Sequence, residues 1–220
     1  MNDAVFVPPI HEEVPELISD LFNFLHNTDF RVPHLVRIAI AHYQFETIHP
    51  FLDGNGRMGR LLITLYLVSS GVLERPLLYL SDFFHRHRNL YFDNLIIVRE
   101  KNDLTQWLKF FLSAITDTAD KSTATLNDIL KLKAAIEETL YPALGKRLKS
   151  GQTFFSALFS KPAVNTRNVQ EIADLSPKAA NDLIDKFIEL DILKEMTGFQ
   201  RNRVFIFKSY LDLFNRGEQE

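Results

Sequence analysis

The 220-residue chain has no cysteine, which excludes disulfides, thiolate zinc sites, iron–sulfur clusters and a cysteine nucleophile. That absence fits a reducing, cytoplasmic setting. An excess of one charge is also lacking. The chain carries 25 Lys+Arg against 28 Asp+Glu, a net −3, so it is not expected to coat nucleic acid or to be drawn to an acidic membrane. The best candidate for a membrane span, Leu61 to Leu73 between Arg60 and Glu74, falls short of the roughly 20 apolar residues required. The first residues, Met1-Asn2-Asp3-Ala4-Val5, lack the basic-then-apolar layout of a signal peptide. No internal repeat or low-complexity tract is present. What the chain does have is 46% hydrophobic residues, 19 of the chain's residues being Phe, enough to build a sizeable core in one or two domains.

Helical spacing dominates the first two thirds. Pro8-Pro9 blocks a helix start and leaves Ala4 to Val7 extended. Pro15, with Glu12, Glu13 and Glu16 in the first turn, opens a helix carrying Val14, Leu17, Ile18, Leu21, Phe22 and Leu25. Pro33 opens a second helix running toward Phe45. A third runs from about Gly56 to Ser69, ended by Gly71 and Pro76. Ser81 or Asp82 is placed to cap a helix through Ile97, and Asp103 one carrying Trp107, Phe110, Phe111 and Ile115. Residues 119–149 read as one or two more helices, broken near Pro142 and Gly145.

From about residue 152 the pattern changes. A short helix, Phe154 to Phe159, stops at Lys161-Pro162. Thr166 is placed to cap Val169 to Leu175, and Ser176-Pro177 opens Ala179 to Leu190. Two strand-like runs, Ile192 to Met196 and Val204 to Phe207, flank Thr197-Gly198. This order is that of a winged helix-turn-helix. Residues 153–220 hold nine Lys+Arg and ten Asp+Glu, and the second helix of the pair carries Asp182, Asp185 and Glu189. That is a poor surface for phosphates, so a protein partner is favoured over DNA, which only the wing residues Arg201 and Arg203 support.

One stretch stands apart: His49-Pro50-Phe51-Leu52-Asp53-Gly54-Asn55-Gly56-Arg57-Met58-Gly59-Arg60. Four turn-forming residues, Asp53 to Gly56, let backbone N–H groups converge at the start of a helix, which makes an anion cradle. Arg57 and Arg60 lie three apart on one face of that first turn. Two cations at a helix N-terminus are locally unfavourable and make sense if a polyanion lies between them. Asp53 offers one carboxylate beside a phosphate site, a suitable Mg²⁺ ligand. His49 is of the type that serves as a general base near neutrality. Phe51 reads as an anchor that buries the loop. Other readings fail on pattern. The flanks lack the alternation of a hairpin, an EF-hand starting at Asp53 would put Thr64 where a bidentate Glu belongs, and the Gly-Lys-Ser/Thr of a P-loop is missing. His85-x-His87 has no acidic residues nearby to complete a metal set and reads as solvated helix surface.

The run His-Pro-Phe-x-Asp-Gly-Asn-Gly-Arg-x-x-Arg resembles the signature of the Fic (Fic/Doc) family of nucleotidyltransferases at every fixed position. The resemblance covers residues 1 to about 115, and the C-terminal region resembles an appendage of multi-domain Fic proteins. It implies a mainly α fold: a Fic-type helical bundle with a short N-terminal flap strand, then the small winged helix-turn-helix. Three regions are expected: an N-terminally truncated catalytic core over 1–120, a helical connector over 121–150, and the winged domain over 151–220.

The activity implied is transfer of AMP from ATP to a Ser, Thr or Tyr hydroxyl of a protein, the chain itself included. In that scheme His49 is the base and Asp53 holds Mg²⁺. Gly54, Asn55 and Gly56 form the anion hole, Arg57 binds the β-phosphate and Arg60 the γ-phosphate. Tyr91 falls where the family places groups near the base. Val5, Phe6 and Val7 look like the end of a flap that pairs with an extended target. The alternatives are another nucleotide donor, because the motif reads phosphates and not bases, and a nucleotide-sensing DNA-binding regulator. The family's inhibitory pattern, Ser/Thr-x-x-x-Glu-Gly/Asn, does not occur in the sequence, so Arg60 is expected to be unpaired and the chain competent for ATP. A homodimer is one way to cover apolar surface left by a shortened core.

Overall fold

A computed structural model describes residues 6–29, 31–198 and 203–215 of the chain. It divides into two compact units, Met1–Ser122 and Thr123–Glu220. In the first, α1 (Val14–His26) has a proline in its first turn and buries Leu21 and Leu25. Helix α2 (His34–Ile48) is buried around most of its girth, including the polar Arg37, His42 and Glu46. Arg37 serves a helix end. Its guanidinium donates to the carbonyls of Phe24 (2.7 Å) and Asn27 (2.6 Å) at the C-terminal end of α1, where helix carbonyls need partners from outside the helix. Helix α3 (Asn55–Ser69) packs on α2.

The single helix expected after Ser81 is two, α4 (Ser81–Arg86) and α5 (Arg88–Lys101), separated at His87, whose ring packs on Phe83 at 4.4 Å. Neither Ser81 nor Asp82 caps α4. The capping position is Leu80, without a side-chain bond. Asp103 does accept the Thr105 N–H (2.8 Å) at the start of α6 (Leu104–Leu144). The centre of this unit is aromatic: Trp107 is fully buried, and its Nε1 donates to the Ala39 carbonyl at 2.8 Å. A groove of about 710 Å³ opens between α1 and α3, with Phe22, Met58, Leu61 and Leu65 exposed along it.

Phe6 and Val7 pair with no strand among the described residues, and Val7 is 77% exposed. Phe6 instead lies against the Arg99 guanidinium, 3.6 Å from its ring centroid. Ala4 and Val5 lie outside the described residues.

Helix α6 runs through Pro142, and a 3₁₀ turn follows over Gly145–Arg147. Its last turns share the second core through Leu140 and Leu144. Then come α7 (Leu148–Leu158), β1 (Ala163–Asn165), α8 (Thr166–Ala173), α9 (Pro177–Glu189), β2 (Lys194–Glu195), β3 (Val204–Ile206) and α10 (Lys208–Asn215). The strands form one antiparallel sheet in the order β1-β3-β2, with Val164 opposite Phe205 and Lys194 opposite Ile206. Strand β1 was not legible, since three residues after a proline carry no alternation. The cap of α8 is Asn165 and not Thr166. Asn165 and Asn168 form a reciprocal capping box, with bonds of 3.0 and 3.2 Å. At α9 the Ser176 hydroxyl accepts the Ala179 N–H (3.4 Å), and Pro177 holds the first helical position. Among the described residues no helix is long and apolar enough to cross a membrane.

Candidate active site

The site is built on the junction of α2 and α3. His49 closes α2 in a left-handed conformation, φ 50°, with its N–H bonded to the Phe45 carbonyl at 3.0 Å. That conformation is uncommon for a residue with a Cβ. It turns the chain out of the helix and leaves His49 exposed.

The next residues turn back into α3 by a local clamp. Asn55 is almost fully buried. Its Oδ1 accepts the Phe51 N–H at 2.9 Å, and its Nδ2 donates to the Phe51 carbonyl at 2.6 Å. The Asn55 side chain therefore holds the loop's shape rather than facing an anion. The Phe51 backbone is the anchored part; its ring is 46% exposed and tilts onto Phe45.

Gly54 precedes α3 at φ 86°, and no side chain caps this helix. No acidic residue lies in its first turn either. The open N–H groups and the helix dipole present positive potential. Two guanidinium groups reinforce it. A Cβ placed on Gly54 would meet Arg57 Nη2 at 3.3 Å, and one on Gly56 would meet Arg60 Nη1 at 3.2 Å. Each arginine thus folds back over a glycine, as helical side chains lean toward the N-terminus. Arg57 also bonds the Asp53 carboxylate at 3.2 Å, both groups being largely exposed. Arg60 is not without a partner: its Nε donates to Ser81 Oγ at 2.9 Å.

Beneath this surface lies a buried polar layer. Gly59 brings α3 onto α2, since a Cβ there would come within 2.5 Å of Glu46 Oε1 and 3.0 Å of His42 Cε1. His42 is sealed between Phe84 and Trp107. Burial, with Arg60 adding to it, lowers its pKa to about 4, so the ring is neutral. Its Nε2 and the Tyr91 hydroxyl are hydrogen-bonded at 3.0 Å. Burial raises Glu46 to about 6, against the pull of Arg60 and Arg99, and its Oε1 has no hydrogen-bond partner.

Tyr91, expected near the base, lies in the aromatic core. It is 8% exposed and packs among Phe84, Phe92, Trp107 and Phe110, so its ring is spent on the core and its hydroxyl on His42. The loop otherwise brings His49, Asp53, Gly54, Gly56, Arg57 and Arg60 together at one open helix end. Glu46, Gly59 and Ser81 were missed. A glycine inside a helical run is a signal of close approach and was available for Gly59. Glu46 and Ser81 gain meaning only through packing.

Among the described residues no three His, Asp or Glu cluster as a metal set. Asp53 stands alone and 92% exposed at its side chain, which fits Mg²⁺ only where phosphate oxygens supply most of the other ligands. An open helix N-terminus with two flanking guanidinium groups, one carboxylate and an adjacent imidazole has the chemistry to hold a phosphate.

Residues 1–67, which contain α1, α2, the loop and most of α3, match the model of the Fic/DOC family, so the segment that builds the site is similar to a Fic core. The chain is 36% identical over 117 residues to a probable protein adenylyltransferase of Aquifex aeolicus, a match covering 53% of this chain and 35% of that protein. It is 31% identical over 145 residues to the protein adenylyltransferase Fic of Culex quinquefasciatus, covering 64% and 27%. The chain thus spans about a third or less of the length of these curated relatives. A crystal structure of a Fic family protein from Desulfovibrio desulfuricans shares the fold over 91% of this chain and 56% of its own, with a TM-score of 0.51 and 24% identity.

Proposed function

We propose that the chain is a protein adenylyltransferase, moving AMP from ATP onto a hydroxyl of a protein. The observation that carries this reading is the uncapped start of α3, with Arg57 and Arg60 folded over Gly54 and Gly56. The N–H groups of the loop and first turn cradle the phosphates, Arg57 meets the β-phosphate and Arg60 the γ-phosphate. His49, exposed at the end of α2, takes the proton of the target hydroxyl. The hydroxyl oxygen then bonds to the α-phosphorus as the bond from that phosphorus to the bridging oxygen breaks. Pyrophosphate leaves with the electron pair, held by the two guanidinium groups. Mg²⁺ held by Asp53 would neutralise phosphate charge as it builds up. For this the Arg57–Asp53 pair, solvent-exposed and worth little by itself, opens and phosphate oxygens take its place. The target is a protein with an accessible Ser, Thr or Tyr, and the chain itself is one candidate.

The test is intact-mass spectrometry after incubation with ATP and Mg²⁺, alone and with a lysate. Addition of one AMP, lost in His49→Ala, is the expected result. Label that survives His49→Ala overturns the base assignment. A donor panel of ATP, GTP, UTP and CDP-choline distinguishes a different nucleotide.

We read the second unit as a winged helix-turn-helix on its order α7-β1-α8-α9-β2-β3, and assign it to docking of protein rather than DNA. Its described arginines are largely neutralised: Arg147 pairs with Asp182, Arg167 with Glu171 and Arg203 with Glu195. Arg201 lies outside the described residues. Salt-dependent retention on duplex DNA would reverse this assignment.

A further inference from the structure

We propose that Ser81 is a positioning residue that holds the Arg60 guanidinium over Gly56 and thereby makes the site select nucleoside triphosphates over diphosphates. The inference rests on the nucleotide reading of the loop, and in particular on Arg60 as the partner of the γ-phosphate.

An arginine side chain has many rotamers, and ordering it on a ligand costs entropy. Here the ordering is already done. Ser81, at the start of α4, accepts the Nε–H at 2.9 Å, a bond that occupies none of the Nη donors. Nη1 lies over Gly56, where a Cβ would press on it. The fork that remains is the bidentate face that matches phosphate oxygens.

Ser81 stands at the start of α4, so the grip on the terminal phosphate depends on a residue outside the motif.

The test is calorimetric titration of the full chain with ATP, ADP and AMP in Mg²⁺, beside steady-state labelling. Ser81→Ala should weaken ATP about tenfold, the scale of one lost charge-assisted hydrogen bond, and leave ADP within about twofold. Ser81→Thr, which keeps the acceptor, should restore ATP binding. The loss should appear in KM for ATP more than in kcat. Equal weakening of ATP and ADP, or no weakening of either, overturns the proposal. Absence of ATP binding by the unsubstituted chain overturns the nucleotide reading itself and the selectivity with it. Melting curves control for folding. Ser81 lies at an exposed position, so Ser81→Ala is expected to fold.

Discussion

Helices α3 and α9 begin in opposite ways. At α9 the chain satisfies its own donors: Ser176 accepts the Ala179 N–H and Pro177 removes another. Helix α8 goes further, with the reciprocal Asn165/Asn168 box. At α3 the N-cap is Gly54, which has no side chain to offer, and the first turns carry Arg57 and Arg60 where acidic residues would stabilise the dipole. The first two starts lower the free energy of the fold. The third forgoes that gain and leaves its donors and its positive potential open. A helix start whose local chemistry works against stability, while its surroundings are well packed, is where binding is to be sought.

The comparison can be broken by giving α3 an acidic residue. Gly56→Asp sets a carboxylate against Arg60 Nη1, 3.2 Å from the added Cβ. It should reduce ATP labelling by about a hundredfold or more through like-charge repulsion and loss of the cradle. The melting temperature should hold or rise, because an acid in the first turn suits the dipole. Labelling that survives means the α3 start is not the phosphate site.

Asn55→Ala is the next largest. It strands the Phe51 N–H and carbonyl that the side chain now pairs. A loss of about 1–3 kcal/mol per unsatisfied group is expected in denaturant titration, together with weaker ATP binding as the loop loses its shape. Unchanged stability would show that the loop is held in some other way.

The buried pair below the site predicts a pH signature. His42 is lowered from 6.5 to about 4, so the unfolded chain takes up a proton that the fold refuses, and stability falls as pH drops from about 6.5 toward 4. Glu46 is raised from 4.5 to about 6, so the fold keeps a proton that the unfolded chain releases, and stability falls as pH rises from about 4.5 to 6. The two slopes oppose each other between about 4.5 and 6. Glu46→Gln removes one of them, and its melting temperature should decline on acidification through that window more steeply than the parent's. Parallel curves would refute the pairing.

Ser176→Ala is the smallest. It should cost about 1 kcal/mol of stability in the second unit and leave ATP labelling untouched. An effect on labelling would mean that a stabilising cap and a binding start are not separable here.

The limits of legibility follow the range of the signals. Helices α1, α2, α3 and α9 announce themselves by proline, cap and apolar spacing within a few residues. Thr166 was assigned a cap that belongs to Asn165, since a box of two asparagines competes with a lone hydroxyl one residue on. The break at His87 and the passage of α6 through Pro142 depend on packing that no local pattern encodes. Tyr91 reads equally as a stacking platform or as core until its neighbours close over it.

The loop from His49 to Arg60 is continuous in the chain, so its residue types and spacing alone placed its glycines, arginines and imidazole at one helix start. Backbone geometry is local, and four turn formers before a helix leave few other arrangements. Only the tertiary structure decided that Tyr91 belongs to the core, that Ser81 receives Arg60, and that a carboxylate from α2 lies under α3. Those facts depend on which surfaces the aromatic core draws together, and hydrophobic burial is non-directional: it brings distant segments into contact without marking them in the sequence.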